Sequence, residues 1–146
     1  MRKLFIALLL ICTSIFSQAT PKETMWVLVP DASKNGTRNY FDLNSIEKYT
    51  RNNIHYTVGT ILIVPESPTE VTLPNGRKVR ATSMARHLIV DCDNALTTNF
   101  FDVFFTIQLP ARGTVPLGGI DYSKSSDFES LSRSSPLFLV MCPTEV

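Results

Sequence analysis

Apolar residues recur with a period of two in three stretches of this chain, 54–64, 84–92 and 99–109, the spacing of pleated strands covered on one side. Residues 25–29 (Met-Trp-Val-Leu-Val) predict a short strand, closed by Pro30 and an Asp-Ala-Ser-Lys-Asn-Gly turn cluster. Residues 40–43 predict a second strand, running into 44–49, where Asp42 or Asn44 is placed to cap a single helical turn. The longest strand is expected over 54–64. Ile54, Tyr56, Val58, Leu62 and Val64 share one of its faces and His55, Thr57 and Gly59 the other. Ile61 and Ile63 break the alternation, so its far end is expected to be covered on both sides. Asn75-Gly76 predicts a hairpin with a type I′ turn, which needs positive φ at both central residues. Pro74 beside it cannot donate to a ladder, which makes this arm an edge or a protrusion.

Residues 84–92 form the next strand, with Met84, Leu88, Val90 and Cys92 inward. Residues 99–109 set Phe101, Val103, Phe105, Ile107 and Leu109 against Phe100, Asp102, Phe104, Thr106 and Gln108. Residues 113–119 read as a connecting loop. Ser134-Ser135-Pro136 has the form of a helix start, a serine cap followed by proline in the first turn. The apolar run 137–142 then forms a short buried helix, although a final buried strand fits the pattern nearly as well. The sum is an α+β fold: a small antiparallel sheet of about five to six strands with a short C-terminal helix packed on it.

The first nineteen residues follow another pattern. Arg2 and Lys3 precede an apolar run over 4–11, and Ser17-Gln18-Ala19 puts small residues where a signal peptidase reads them. A secretory signal cleaved after Ala19 is expected, since the apolar run is far short of the ~20 residues that span a bilayer. Cys12 follows Ile11 rather than a small residue, so lipidation is not expected. Residues 20–146 remain as a single domain, exported to the periplasm, the outer-membrane surface or the medium. This segment has 146 − 19 = 127 residues, with 14 − 2 = 12 basic and 13 acidic side chains. A balance of −1 argues against nucleic-acid binding, which rests on excess positive charge. Two cysteines are left, Cys92 and Cys142, and an even count in an oxidising compartment reads as one disulfide.

Candidate chemistry is sparse. The chain carries no Gly-x-Ser-x-Gly elbow, phosphate loop or zinc-binding His pair on a helix. His55 and His87 fall on solvent-side strand positions. Asp91, Asp93 and Asp102 are spaced partly like a calcium loop, but Leu96 occupies the position that needs glycine. No catalytic residue, metal or cofactor is therefore assigned, and a non-enzymatic protein is expected. Two surface features suit protein binding. Arg77, Lys78 and Arg80 gather at the hairpin, with Arg86 further on, and also fit a charged edge that blocks sheet-to-sheet aggregation. Phe100 and Phe104 on the more polar side of their strand suit a contact patch, or core beneath a covering helix.

Trp26-Val27-Leu28-Val29, Tyr40-Phe41-Asp42-Leu43-Asn44-Ser45-Ile46, Asp91-Cys92 at the end of a central strand and Cys142 after a short apolar segment occur in this order. The order resembles the surface-adhesin protein E family of Gram-negative bacteria and covers residues 26–142. The resemblance implies an antiparallel sheet with a helix packed on it and tied by a cysteine bridge. It also implies attachment to a host extracellular-matrix or serum protein, without catalysis. Self-association into a homodimer stays open. The alternative function is a periplasmic inhibitor or immunity protein that binds a lytic or toxic enzyme.

Overall fold

Strand β2 (Arg38–Arg51) turns straight into β3 (Ile54–Val64) through Asn52 and Asn53, both at positive φ, 53° and 62°. Asparagine tolerates this region better than most residues, and Arg51 pairs with Ile54 across a two-residue loop. The computed structural model describes residues 23–29, 36–124 and 127–143. The export signal, its cleavage position and Cys12 lie outside the described residues. The remaining strands are β1 (Trp26–Leu28), β4 (Thr69–Thr72), β5 (Lys78–Ala81), β6 (Ser83–Asp91), β7 (Leu96–Phe105), β8 (Gly118–Asp121) and β9 (Glu129–Ser130). One helix follows, α1 (Pro136–Met141). The main sheet has seven antiparallel strands in the order β1-β2-β3-β6-β7-β8, with β9 also on β7. β4 and β5 form a separate two-stranded hairpin, inserted between the neighbours β3 and β6.

This corrects the expected count of five to six strands. The added strands, β8 and β9, are short (Gly-Gly-Ile-Asp and Glu-Ser) and have too few side chains to show a period. The helical turn expected over 44–49 is also replaced, because β2 continues through it with a register shift between Asp42 and Glu47. The polar groups that suggested a cap are satisfied within that irregularity. Asp42 Oδ1 accepts from the N–H groups of Met25 and Asn44, while Ser45 Oγ donates to the Asp42 carbonyl and accepts from Thr60 N–H. Asn75-Gly76 does close a hairpin, but only Gly76 has positive φ. The Leu73 carbonyl accepts from Gly76 N–H and the Asn75 side chain from Arg77 N–H, giving a loop over residues 73–77, with Pro74 in its second position, instead of a type I′ turn.

Alternation assigns the two sides of the sheet. On one side α1 lays Phe138 and Met141 over Phe41, Leu88 and Val90. Met141 is fully buried and crosses the sheet at Gly59, where a Cβ would sit 2.8 Å from its Cε. Next to α1 on this side, the β4–β5 hairpin covers Phe104 and Met84 with Leu73, Val79 and Ala81. The other side holds Leu62, Val64 and Ala85, ringed by Trp26, Tyr40, Val103 and Phe105. Trp26 Nε1 donates to the Pro110 carbonyl at 2.8 Å and Ser83 Oγ to that of Ile107, which draws the chain after β7 across this side. Because the chain leaves the sheet after Phe105, Ile107 and Leu109 are exposed rather than aligned on the strand's apolar face.

Helix α1 starts where expected and resolves the helix-or-strand alternative. Ser135 caps it, its Oγ accepting from Phe138 N–H, with Pro136 in the first turn. Cys142 directly follows the helix and joins Cys92 at the end of β6 in a disulfide, so the tail is fastened to the sheet. No helix among the described residues is long and apolar enough to cross a membrane.

Candidate functional site

A groove of about 490 Å³ runs between the tip of the β2–β3 hairpin and the last turn of α1. Its strand side carries Lys48 and His55, which share the helix side of the sheet with Thr57, the cross-strand partner of Lys48. Its opposite wall is built from Arg133, Phe138 and the disulfide. The tight turn at Asn52-Asn53 sets the hairpin's register, and the disulfide sets how near α1 stands to it.

Most polar groups in the groove hold each other in place. Asp93 accepts from His55 N–H at 2.7 Å and lies 3.1 Å from His55 Nδ1, with both side chains substantially exposed. The His55 N–H, more than the imidazole, keeps the Asp93 carboxyl below the usual carboxylate range. Arg133 donates to the carbonyls of Asp93 (2.6 Å) and Cys92, and its guanidinium lies 5.4 Å from the centre of the Phe138 ring. Lys48 makes no ion pair among the described residues. Thr57 is buried with its hydroxyl 3.5 Å from Cys92 Sγ. On the reverse of the hairpin, Tyr49 and Tyr56 stack with centroids 5.3 Å apart, and Phe128 tilts against Tyr56. Burial, then the neighbouring Tyr56, raises the Tyr49 phenol above its ordinary pKa. The groove thus offers positive charge beside the Phe138 ring, with the tyrosine pair at its edge on the reverse of the hairpin.

The sequence-nominated residues do not gather into one surface. Lys78 is ion-paired across its hairpin to Glu70 at 2.8 Å, and Arg80 stands opposite Glu70 in the register. Arg77 donates to the Leu117 carbonyl, fastening the hairpin tip to the segment before β8. Phe104 is 3% exposed beneath the hairpin, so it is core and not a contact anchor; a hairpin, rather than a helix, does the covering. Phe100 is the extra residue of a bulge in β7 and stands beside His87, with ring centroids 6.0 Å apart. The pairing of Phe100 with Phe104 as one patch is therefore corrected: the bulge and the hairpin separate them. Arg86 gives two 2.9 Å hydrogen bonds to the buried Asp102, and these raise its already high pKa further.

His55 is exposed as expected, but His87 is not a surface residue. It sits half-buried between Phe100 and Phe101, with Nδ1 3.0 Å from Thr60 Oγ1, and burial lowers its pKa against the opposing pull of Asp102. Sequence reasoning missed Lys48, Tyr49, Tyr56 and Arg133 as site residues. A signal was present for the first three: Asn52-Asn53 marks a turn just before the strand at Ile54, so the residues preceding it are placed to be that strand's hairpin partner, but the helical-turn reading of 44–49 hid it. No group of three or more His, Cys, Asp or Glu residues arranged for a metal occurs among the described residues.

Fold and groove together define, among the described residues, a disulfide-tied, mostly antiparallel β protein with one short helix and a basic groove at their junction. No protein-family model matches the chain, and no curated protein matches it in sequence.

Proposed function

We propose that this chain is an exported, non-enzymatic binding module of the adhesin type, contacting a host extracellular-matrix or serum protein. The observation that carries the reading is the state of the groove's charged groups. Arg133 is held by backbone carbonyls and His55 and Asp93 by each other, which leaves Lys48 in the groove, and the exposed Tyr49 on the reverse of the hairpin, to meet a partner. A wide, open groove of this kind suits a macromolecular surface better than a small substrate that must be enclosed. The resemblance in segment order to adhesin E proteins supplies the class of partner.

The test is saturable binding of the purified, oxidised chain to a panel of immobilised extracellular-matrix and serum proteins. Binding to at least one, weakened by Lys48→Glu and by rising salt, is the expected result. Failure on the whole panel, together with recovery of one tight enzyme partner from periplasmic extract, would overturn it in favour of the inhibitor or immunity role.

A further inference from the structure

β1 reaches only part of the way along β2. Its three residues pair with Tyr40, Phe41 and Asp42, and from Glu47 to Arg51 β2 has β3 on one side and, among the described residues, no strand on the other. The orientation of the backbone along this stretch follows from the hairpin. A two-residue loop makes Arg51 and Ile54 a hydrogen-bonded pair, and alternation makes Tyr49 with Tyr56 and Glu47 with Val58 the next ones. Lys48 and Thr50 therefore direct their N–H and C=O groups outward. The His55 carbonyl, opposite Thr50, bonds to Cys92 N–H on the far side of β3, as this alternation requires. This edge, without a strand partner among the described residues, also runs along the groove, since Lys48, Tyr49 and Thr50 all line it.

We infer that this edge receives an extended peptide segment of the partner protein as an added strand, and that the segment alternates acidic with apolar side chains. An added strand meets the outward groups of Lys48 and Thr50 through its own main chain. Its alternate side chains then fall on the two sides of the sheet. On the helix side they enter the groove, where Lys48 and Arg133 present positive charge and Asp93 is already engaged by His55, which selects carboxylates. On the reverse side they pass Tyr49, stacked on Tyr56, which selects apolar residues. This rests on the binding-module reading and gives the chemistry of its partner.

The experiment titrates a labelled eight-residue peptide of alternating Glu and Val into the oxidised chain and follows fluorescence polarisation. Saturable binding is expected, with Lys48→Glu weakening it about tenfold or more and an alternating Lys–Val peptide failing to bind. Thr50→Pro deletes an outward N–H without touching the β3 ladder, so it should abolish peptide binding while leaving the circular dichroism spectrum unchanged. Equal binding by Thr50→Pro, or no binding of the acidic peptide to the parent chain, overturns the inference. So does a dimer of the parent chain that Thr50→Pro dissolves and the peptide cannot displace, because the edge then belongs to a second copy. If Thr50→Pro still binds the host protein while the peptide fails, the adhesin reading stands and only the edge assignment falls.

Discussion

Opening the Cys92–Cys142 bridge should cost this protein a large share of its stability, and the size of the cost follows from where the two sulfurs lie. They are separated by 50 residues, and in the chain-entropy model closing a loop of that length stabilises the folded state by about 4 kcal/mol. The rest of the fold offers little compensation at this point. α1 has only six residues, too few to persist as an isolated helix, and its hold on the sheet depends mainly on Phe138 and Met141. For a domain of this size, a loss of that order corresponds to a fall in melting temperature of roughly 15 °C. The assay is thermal unfolding followed by circular dichroism, comparing the oxidised chain with the same chain under reductant and with Cys92→Ala/Cys142→Ala. Both sulfurs line the groove, so a reductant should reach them without prior unfolding. A shift below about 5 °C would refute the argument that the bridge, not the helix packing, holds the tail. Two titratable thiols in protein isolated without reductant would refute it more directly.

Three further outcomes are expected. Asp102→Ala strips Arg86 of both its hydrogen bonds, and because a third of the Arg86 side chain can rehydrate, the loss should be about 2–3 kcal/mol in denaturant unfolding. Arg86→Met/Asp102→Leu should recover most of that loss, and a double variant as weak as Asp102→Ala would argue against the ion pair as the cause. His87 has its folded pKa lowered by burial, so the unfolded chain binds its proton more readily and stability must fall as pH drops below the ordinary histidine range. An NMR titration of the folded protein should find the His87 midpoint below that of a free histidine, and His87→Gln should flatten the acid side of the stability curve. Ala95 holds φ at 54° in the β6–β7 turn, so Ala95→Gly should stabilise by about 0.5–1 kcal/mol, measured as a higher denaturant midpoint.

The local patterns decided a good deal before any packing was known. The strand 54–64 was legible because its Ile, Val and Tyr residues alternate, and the interruption at Ile61 and Ile63 correctly marked a stretch covered on both sides. The start of α1 was legible because a serine cap and a proline in the first turn act through the backbone of their own segment. The pairing of Cys92 with Cys142 followed from counting. Other parts were not legible, and for reasons that lie in the chain's long-range contacts. Whether Phe104 is core or surface depends on the β4–β5 hairpin, from well before it in the chain, folding over it, which no local period records. The strand character of 44–49 depends on β3 supplying a partner and on Asp42 and Ser45 finding bonds across the irregularity, against a local preference for a cap.

The groove belongs wholly to that second class. By itself, the sequence determined the strand periods, the capped helix and the two cysteines, because each is set by neighbours along the chain. Only the tertiary structure decided that Lys48, His55, Arg133 and the disulfide would share one groove beside the outer edge of β2. These groups come from segments up to 94 positions apart (48 to 142), and what brings them together is the packing of α1 on the sheet, held by a covalent tie.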